Sequence, residues 1–255
     1  MDLSPIKIAI VLVAGLFAGF INALAGGGSF LTLAALEFAG LPAAMANGTN
    51  RIAVIAQNIA AVAGFRSKGV GDWKYSLQLA VPTVIGSIIG AYVVIDLPEQ
   101  LFHRILGVAM LIMLFTLVFN TNKWLASRKW ESTPARRILG YALFAAIGFY
   151  GGAIQAGVGF FLIAALVVFA GQDLVHANSH KVFIVGIFTI VAFVMFLLRG
   201  QVNWILGLIL AIGNSVGAWI ASRLAVQKGE KFVRVVLGAM LVFLTLQYFG
   251  IIPSF

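Results

Sequence analysis

Residues 6–40 read IKIAIVLVAGLFAGFINALAGGGSFLTLAALEFAG. Two apolar runs, near 6–24 and 28–40, flank the small polar stretch Asn22-Ala-Leu-Ala-Gly-Gly-Gly-Ser29. A helix needs about 20 apolar residues to cross the hydrocarbon core of a bilayer. The first run reaches roughly that length and the second falls short. Three consecutive glycines are poor helix formers, and they let backbone N–H groups approach a neighbour closely. Non-helical backbone is tolerated at membrane depth only where protein buries it or where it lines a wet cavity. The stretch therefore predicts a membrane helix, a break, and a half-helix restarting at Ser29 or Phe30. The free N–H groups and positive dipole end of that half-helix would be aimed at the break.

The rest of the chain repeats the pattern. Apolar types make up 62% of the 255 residues, charged types only 10%, and mean hydropathy is +1.05. About a quarter of an ordinary soluble chain is charged, so too little polar surface exists here to cover a globule, and lipid must cover it. Further apolar segments lie near 49–66, 74–95, 99–119, 138–155, 157–171, 180–198, 203–222 and 231–250. The first run lacks a strongly basic leader and passes directly into the next, so it reads as part of the mature protein rather than a signal peptide. Net charge is +9, but the Lys and Arg residues sit in gaps between apolar runs. That is a topology signal rather than a nucleic-acid surface. With no Cys in the chain, disulfides and thiolate metal sites are excluded.

The two halves resemble each other at a nearly constant offset. Gly-Gly-Gly-Ser-Phe at 26–30 lies 130 positions before Ala-Gly-Val-Gly-Phe at 156–160, as Arg51 does before Lys181 and Arg104 before Arg234. Near that spacing, Trp73 matches Trp204. An internal duplication follows, with repeats at 1–119 and 138–255 joined by a basic linker at 120–137. The gaps 66–74 and 222–234 and the linker carry the basic clusters, among them Arg66, Lys68 and Lys74, then Lys123, Arg128, Lys129, Arg136 and Arg137, then Arg223, Lys228, Lys231 and Arg234. The positive-inside rule places all three in the cytoplasm. The parity then demands an odd number of crossings per half, five or three plus a re-entrant hairpin. The expected fold is an all-α polytopic membrane protein of two inverted-topology repeats with broken or re-entrant half-helices, both termini outside.

Two polar clusters stand out: Ala46-Asn47-Gly48-Thr49-Asn50-Arg51, and His176-Ala177-Asn178-Ser179-His180-Lys181. Each is expected to open a long apolar helix, with Asn, Thr or Ser as N-caps. A cation there opposes the positive helix end, and makes sense if an anion is shared between the two. Snorkelling of both side chains to the headgroups is the competing reading. Intramembrane ionisable groups are functional candidates by default. Asn22, the N–H groups of Gly26, Gly27, Gly28 and Ser29, and Gln155 and Gly157 at the second break complete a positive pocket, with Arg51 as a bidentate contact and Lys181 as a point charge. Gln57 could line the cavity or join helices. His180 suits either a titrating group or a cap, and Glu37 either an interfacial carboxylate or the carrier of a coupling proton. Asn214-Ser215 with Gly213 and Gly217, and Gly86-Ser87 with Gly90, read as close-packing positions. No arrangement of His, Asp and Glu supports a metal, a cofactor or a catalytic pair, so the reading is not an enzyme.

Gly19-Phe-Ile-Asn-Ala-Leu-Ala-Gly-Gly-Gly-Ser-Phe-Leu and Gly40-Leu-Pro-Ala-Ala-Met-Ala-Asn-Gly-Thr-Asn-Arg resemble the sulfite exporter TauE/SafE family. Asn178-Ser179-His180-Lys181 is similar to that family's looser second repeat, with His180 where a small polar residue is common. The resemblance implies a bacterial inner-membrane transporter of sulfite, organosulfonates or other sulfur-containing anions, usually in the export direction. The expected partners are a small anionic solute, the lipid bilayer, and protons or sodium as coupling ion, with no nucleic acid. An anion channel of the same architecture, or a carrier of another small organic anion, is the alternative.

Overall fold

The computed structural model describes residues 4–118 and 133–248. Most of the expected linker, with Lys123, Arg128 and Lys129, lies outside those residues, as does the C-terminal end. Among the described residues all regular structure is helical. The elements are α1 (Pro5–Leu24), α2 (Ser29–Phe38), α3 (Ala43–Arg66), α4 (Trp73–Val94), α5 (Glu99–Val118), α6 (Pro134–Ala153), α7 (Val158–Val168), α8 (Leu174–Leu198) and α9 (Trp204–Tyr248). Pro5–Leu24, Trp73–Val94, Leu174–Leu198 and Trp204–Val236 are each long and apolar enough to cross a membrane. At about 1.5 Å per residue, α2 and α7 reach only about half the hydrocarbon thickness. Both segments that looked too short to span are short helices.

Local sequence sets the helix starts, and here two expectations are corrected. The polar clusters do not open their helices. α3 begins after Pro42, eight residues before Arg51, where the proline's fixed φ suits a helix entry. α8 begins after Asp173, whose carboxylate accepts the N–H groups of Val175 and His176 at 2.9 and 3.0 Å. Asn47, Thr49, Asn178 and Ser179 are therefore helix-interior residues rather than N-caps, and both cations sit about two turns inside. A polar run mid-helix looked like a boundary because burial against other helices, invisible in the sequence, is what permits it. The gap at 222–234 is also largely helical, since α9 runs through it apart from one break at Gly229, where φ is 72°.

Small residues set the packing. Gly15 and Gly19 of α1 lie against Leu210 and Asn214 of α9, while Gly213 and Gly217 of α9 lie against Leu12 and Leu16 of α1. Gly86 and Gly90 of α4 similarly meet Ala145 and Phe149 of α6, and Gly148 and Gly152 of α6 meet Thr83 and Ser87 of α4. These are four small-xxx-small pairs, which bring backbones together in place of a hydrophobic driving force that lipid does not supply. Numbering rises together in both interfaces, so α1 runs parallel to α9 and α4 parallel to α6. α3 is also parallel to α9, with Gly48, Ile52 and Gly64 against Gln201, Gly207 and Ser222. α8 is parallel to α4, with Ser76 bonded to His180 and Ser87 to the Phe188 carbonyl. Between these two sets the direction reverses, because Gly48 of α3 meets Phe196 of α8 while Asn58 meets Gly186. Each set mixes the halves: α1 and α3 with α9, and α6 and α8 with α4.

Candidate functional site

The breaks after α1 and α6 occupy the seam between the two sets. Gly26 has φ +87° and Gly157 φ +76°, left-handed values that glycine adopts without a Cβ clash. Gln155 takes φ 68° with a side chain, a costly conformation that its surroundings must hold in place. The breaks touch backbone to backbone: a Cβ on Gly159 would stand 2.6 Å from the Gly26 Cα. No residue larger than glycine fits that crossing.

A helix that stops in the membrane leaves its last carbonyls without partners and a partial negative charge at its end. Each break is capped by the cation of the other half. Arg51, 0% exposed, bonds the Gly151 and Gly152 carbonyls, reaches Ala153 O at 3.5 Å, and donates to Gln155 Oε1 at 3.0 Å. Lys181, 2% exposed, donates to Asn22 O at 2.7 Å, Ala23 O at 2.9 Å and Asn178 Oδ1 at 2.6 Å. Three acceptors around one nitrogen fit an ammonium, which carries three N–H groups. The guanidinium also lies over the Phe196 ring, 4.4 Å from its centroid, a cation–π contact strengthened by burial.

This arrangement alters the expected contacts. Lys181 has spent all its donors on protein oxygens, and Arg51 has spent four of five, leaving Nε–H unpartnered. Gly26 N–H bonds Ile21 O, and Ser29 N–H bonds Asn22 Oδ1. The charge balance nonetheless stays positive. Two helix ends of about −0.5 face two helix starts of about +0.5, from α2 and α7, so the four dipoles roughly cancel. Two full cations remain, and among the described residues neither meets a carboxylate. Burying such charge without a counter-charge is expensive.

Other expected residues divide around this centre. Asn22 Nδ2 donates to Ser29 Oγ at 3.1 Å and to Gln57 Oε1 at 3.3 Å. Asn47 Nδ2 donates to Ala153 O, and Thr32 Oγ1 to Asn50 Oδ1. Thr49 faces away, accepting Asn203 N–H. His180 turns toward α4, with Nδ1 2.8 Å from Ser76 Oγ and its ring edge-on to Tyr75. Glu37 stands eight residues along α2 from Ser29, about 12 Å from the break. Two further participants are Asn214, which donates to Gln57 Oε1 at 3.1 Å, and Thr189, which donates to Gln155 Oε1 at 3.3 Å. Asn214 combines the close packing read for its segment with a polar role. Its signal was an amide inside an apolar helix; Thr189 gave none beyond one hydroxyl in an apolar run.

Two touching breaks, each closed by a buried cation from across the seam, inside a bundle of apolar helices, define a multi-pass membrane protein built around broken helices. A family model described as "Sulfite exporter TauE/SafE" matches residues 11–248, and the chain belongs to that family. It is similar to the "Probable membrane transporter protein YfcA" of Escherichia coli strain K12, 32% identical over 91% of this chain and 85% of that one. It is also 30% identical to the "Probable membrane transporter protein ORF9" of Sinorhizobium sp, over 91% and 88%. A "Probable membrane transporter protein" of Haemophilus influenzae is 27% identical over 92% and 91%. No solved structure matches.

Proposed function

We propose that this protein is a secondary transporter of small sulfur-containing oxyanions, sulfite or organosulfonates, exporting them across the inner membrane by alternating access. The observation that carries the reading is the pair of buried cations, Arg51 and Lys181, without a carboxylate among the described residues. A membrane protein keeps such charge where lipid opposes it when a mobile anion completes the balance. Membership in a family described by sulfite export supports the anion class. The opposed directions of the two helix sets support inverted repeats, with the anion near the crossing of the breaks. Because each set borrows the fourth helix of the other half, the rocking bodies are the mixed sets rather than the sequence halves.

Proteoliposomes loaded with sulfite, thiosulfate, alkanesulfonates or carboxylates test this reading. The expected result is saturable sulfite or sulfonate flux, with counterflow driven by unlabelled solute on the opposite side. Flux without counterflow would replace the carrier by a channel. Transport of carboxylates alone would remove sulfur oxyanions as the substrate class.

A further inference from the structure

Besides the contacts that cap α6, Arg51 and Asn47 carry one unused polar atom each. Asn47 and Arg51 lie one turn apart on α3, on the same side of the helix. Both reach the same oxygen: Asn47 Nδ2 is 2.7 Å and Arg51 Nη2 3.5 Å from Ala153 O. A carbonyl can only accept, so this bond fixes the orientation of the Asn47 amide and points Oδ1 elsewhere. Asn47 Oδ1 and Arg51 Nε are both buried and have no partner among the described residues. Asn50, one residue before Arg51, turns toward α2, with Oδ1 accepting the Thr32 hydroxyl and Nδ2 unpartnered. Both Asn47 and Arg51 are 0% exposed. Leaving such groups unsatisfied in an apolar interior costs more than a good hydrogen bond returns.

A bare oxyanion with acceptors only would satisfy Arg51 Nε–H and leave Asn47 Oδ1 facing a second negative oxygen. A ligand carrying one acceptor and one hydroxyl donor on adjacent atoms satisfies both. We infer that Asn47 Oδ1 and Arg51 Nε form a donor–acceptor subsite that selects monovalent oxyanions bearing an O–H group: hydrogen sulfite over the sulfite dianion, and hydroxyalkanesulfonates over plain alkanesulfonates. This rests on the anion-carrier reading and narrows its substrate class. The two full cations attract any anion; this pair decides which one is held. Sites built around a donor–acceptor match reject the analogue lacking the donor far more strongly than apolar pockets reject a missing methylene.

The test compares matched pairs on the wild-type chain, so that no variant need fold: 2-hydroxyethanesulfonate against ethanesulfonate, and glycolate against acetate. Each is measured as inhibition of sulfite counterflow in proteoliposomes and as thermal stabilisation of the solubilised protein. The hydroxylated member of a pair is expected to act at a concentration roughly tenfold lower or better. In Asn47→Leu the preference is expected to vanish. Equal action of both members in the wild type would overturn the subsite even where sulfite is carried, leaving water as the partner of the two groups. Glycolate outcompeting acetate while no sulfonate binds would keep the subsite and remove the sulfur-anion reading.

Discussion

Arg51 and Lys181 stand 130 positions apart, and the carbonyls they hold are separated by the same interval: Gly152 and Ala153 for Arg51, Asn22 and Ala23 for Lys181. Each half thus lends its cation to the broken helix of the other. Residues more than 100 positions distant in sequence are tied at two equivalent points, and both ties cross the seam between the antiparallel sets. In the proposed carrier, a rocking motion along that seam would loosen at least one tie, and an arriving anion would supply a competing partner for the freed cation.

Arginine and lysine are not interchangeable here. Arg51→Lys offers three N–H groups where four are used, in place of a planar fork. It is expected to lower the stability of the solubilised protein by about 3 kcal/mol, because carbonyls at the end of α6 lose their partners while staying buried. Lys181→Arg overfills a site whose three acceptors suit a compact ammonium, and is expected to cost about as much. Thermal unfolding in detergent measures both; an unchanged midpoint in either variant would mean the caps are dispensable.

The crossing of the breaks tolerates no side chain. In Gly159→Ala the new Cβ meets the Gly26 Cα at 2.6 Å and the Lys181 side chain at 3.1 Å, so the breaks must separate. The variant is expected to lose most transport and about 2 kcal/mol of stability. Gly140→Ala, on α6 with nothing within 4 Å of the added carbon, is the control and should behave as wild type.

The chain has no cysteine of its own, which makes engineered pairs clean probes of the antiparallel seam. A Cβ on Gly186 would stand 3.4 Å from the Asn58 Cβ, at the short edge of disulfide geometry. In Asn58→Cys/Gly186→Cys, oxidation is expected to cross-link α3 to α8 and stop counterflow, and reduction to restore it. Counterflow persisting in the fully cross-linked protein would show that the two sets do not move apart at that level.

At the start of α8 the Asp173 carboxyl is held below its ordinary value. Partial burial pushes it up, but hydrogen bonds from the His176 backbone and side chain, the His176 charge and the Val175 N–H outweigh that and favour the anion. A depressed carboxyl stabilises the fold above its unfolded value, near 3.8, and that contribution is lost as pH falls through the folded value. Asp173→Ala is expected to cost about 1 kcal/mol at neutral pH, the loss of an N-cap. The gap from wild type should narrow below about pH 4. A constant gap in melting temperature from pH 7 to pH 3 would exclude the charge as its cause.

The helical membrane fold was legible because it depends on periodic facts: apolar length, glycine breaks and gaps of positive charge. Gly26 to Ser29 and Gln155 to Gly157 announced breaks through residues that disfavour helix, and both are breaks. The burial of Arg51 and Lys181 was also visible, as charge in apolar segments away from the basic loop clusters. Most of what they bind was not, because apart from Gln155 Oε1 and Asn178 Oδ1 their partners are backbone carbonyls, which every residue carries and no sequence distinguishes. The same blindness misplaced the starts of α3 and α8. Asn47, Thr49, Asn178 and Ser179 resemble caps in isolation, and only the neighbouring helices make them interior residues. His180 was grouped with Lys181 by adjacency, but successive residues on a helix point about 100° apart, and the imidazole faces Ser76 on another helix.

The most direct test is sulfite flux from proteoliposomes containing the wild type, Arg51→Gln or Lys181→Gln, with reconstituted amounts matched and folding checked by thermal melt. The account predicts saturable flux for the wild type and a drop of about a hundredfold or more in each variant, because removing either buried charge removes half the attraction that holds the anion. A variant that folds and carries sulfite at the wild-type rate would contradict the claim that these two cations exist to hold a negatively charged solute.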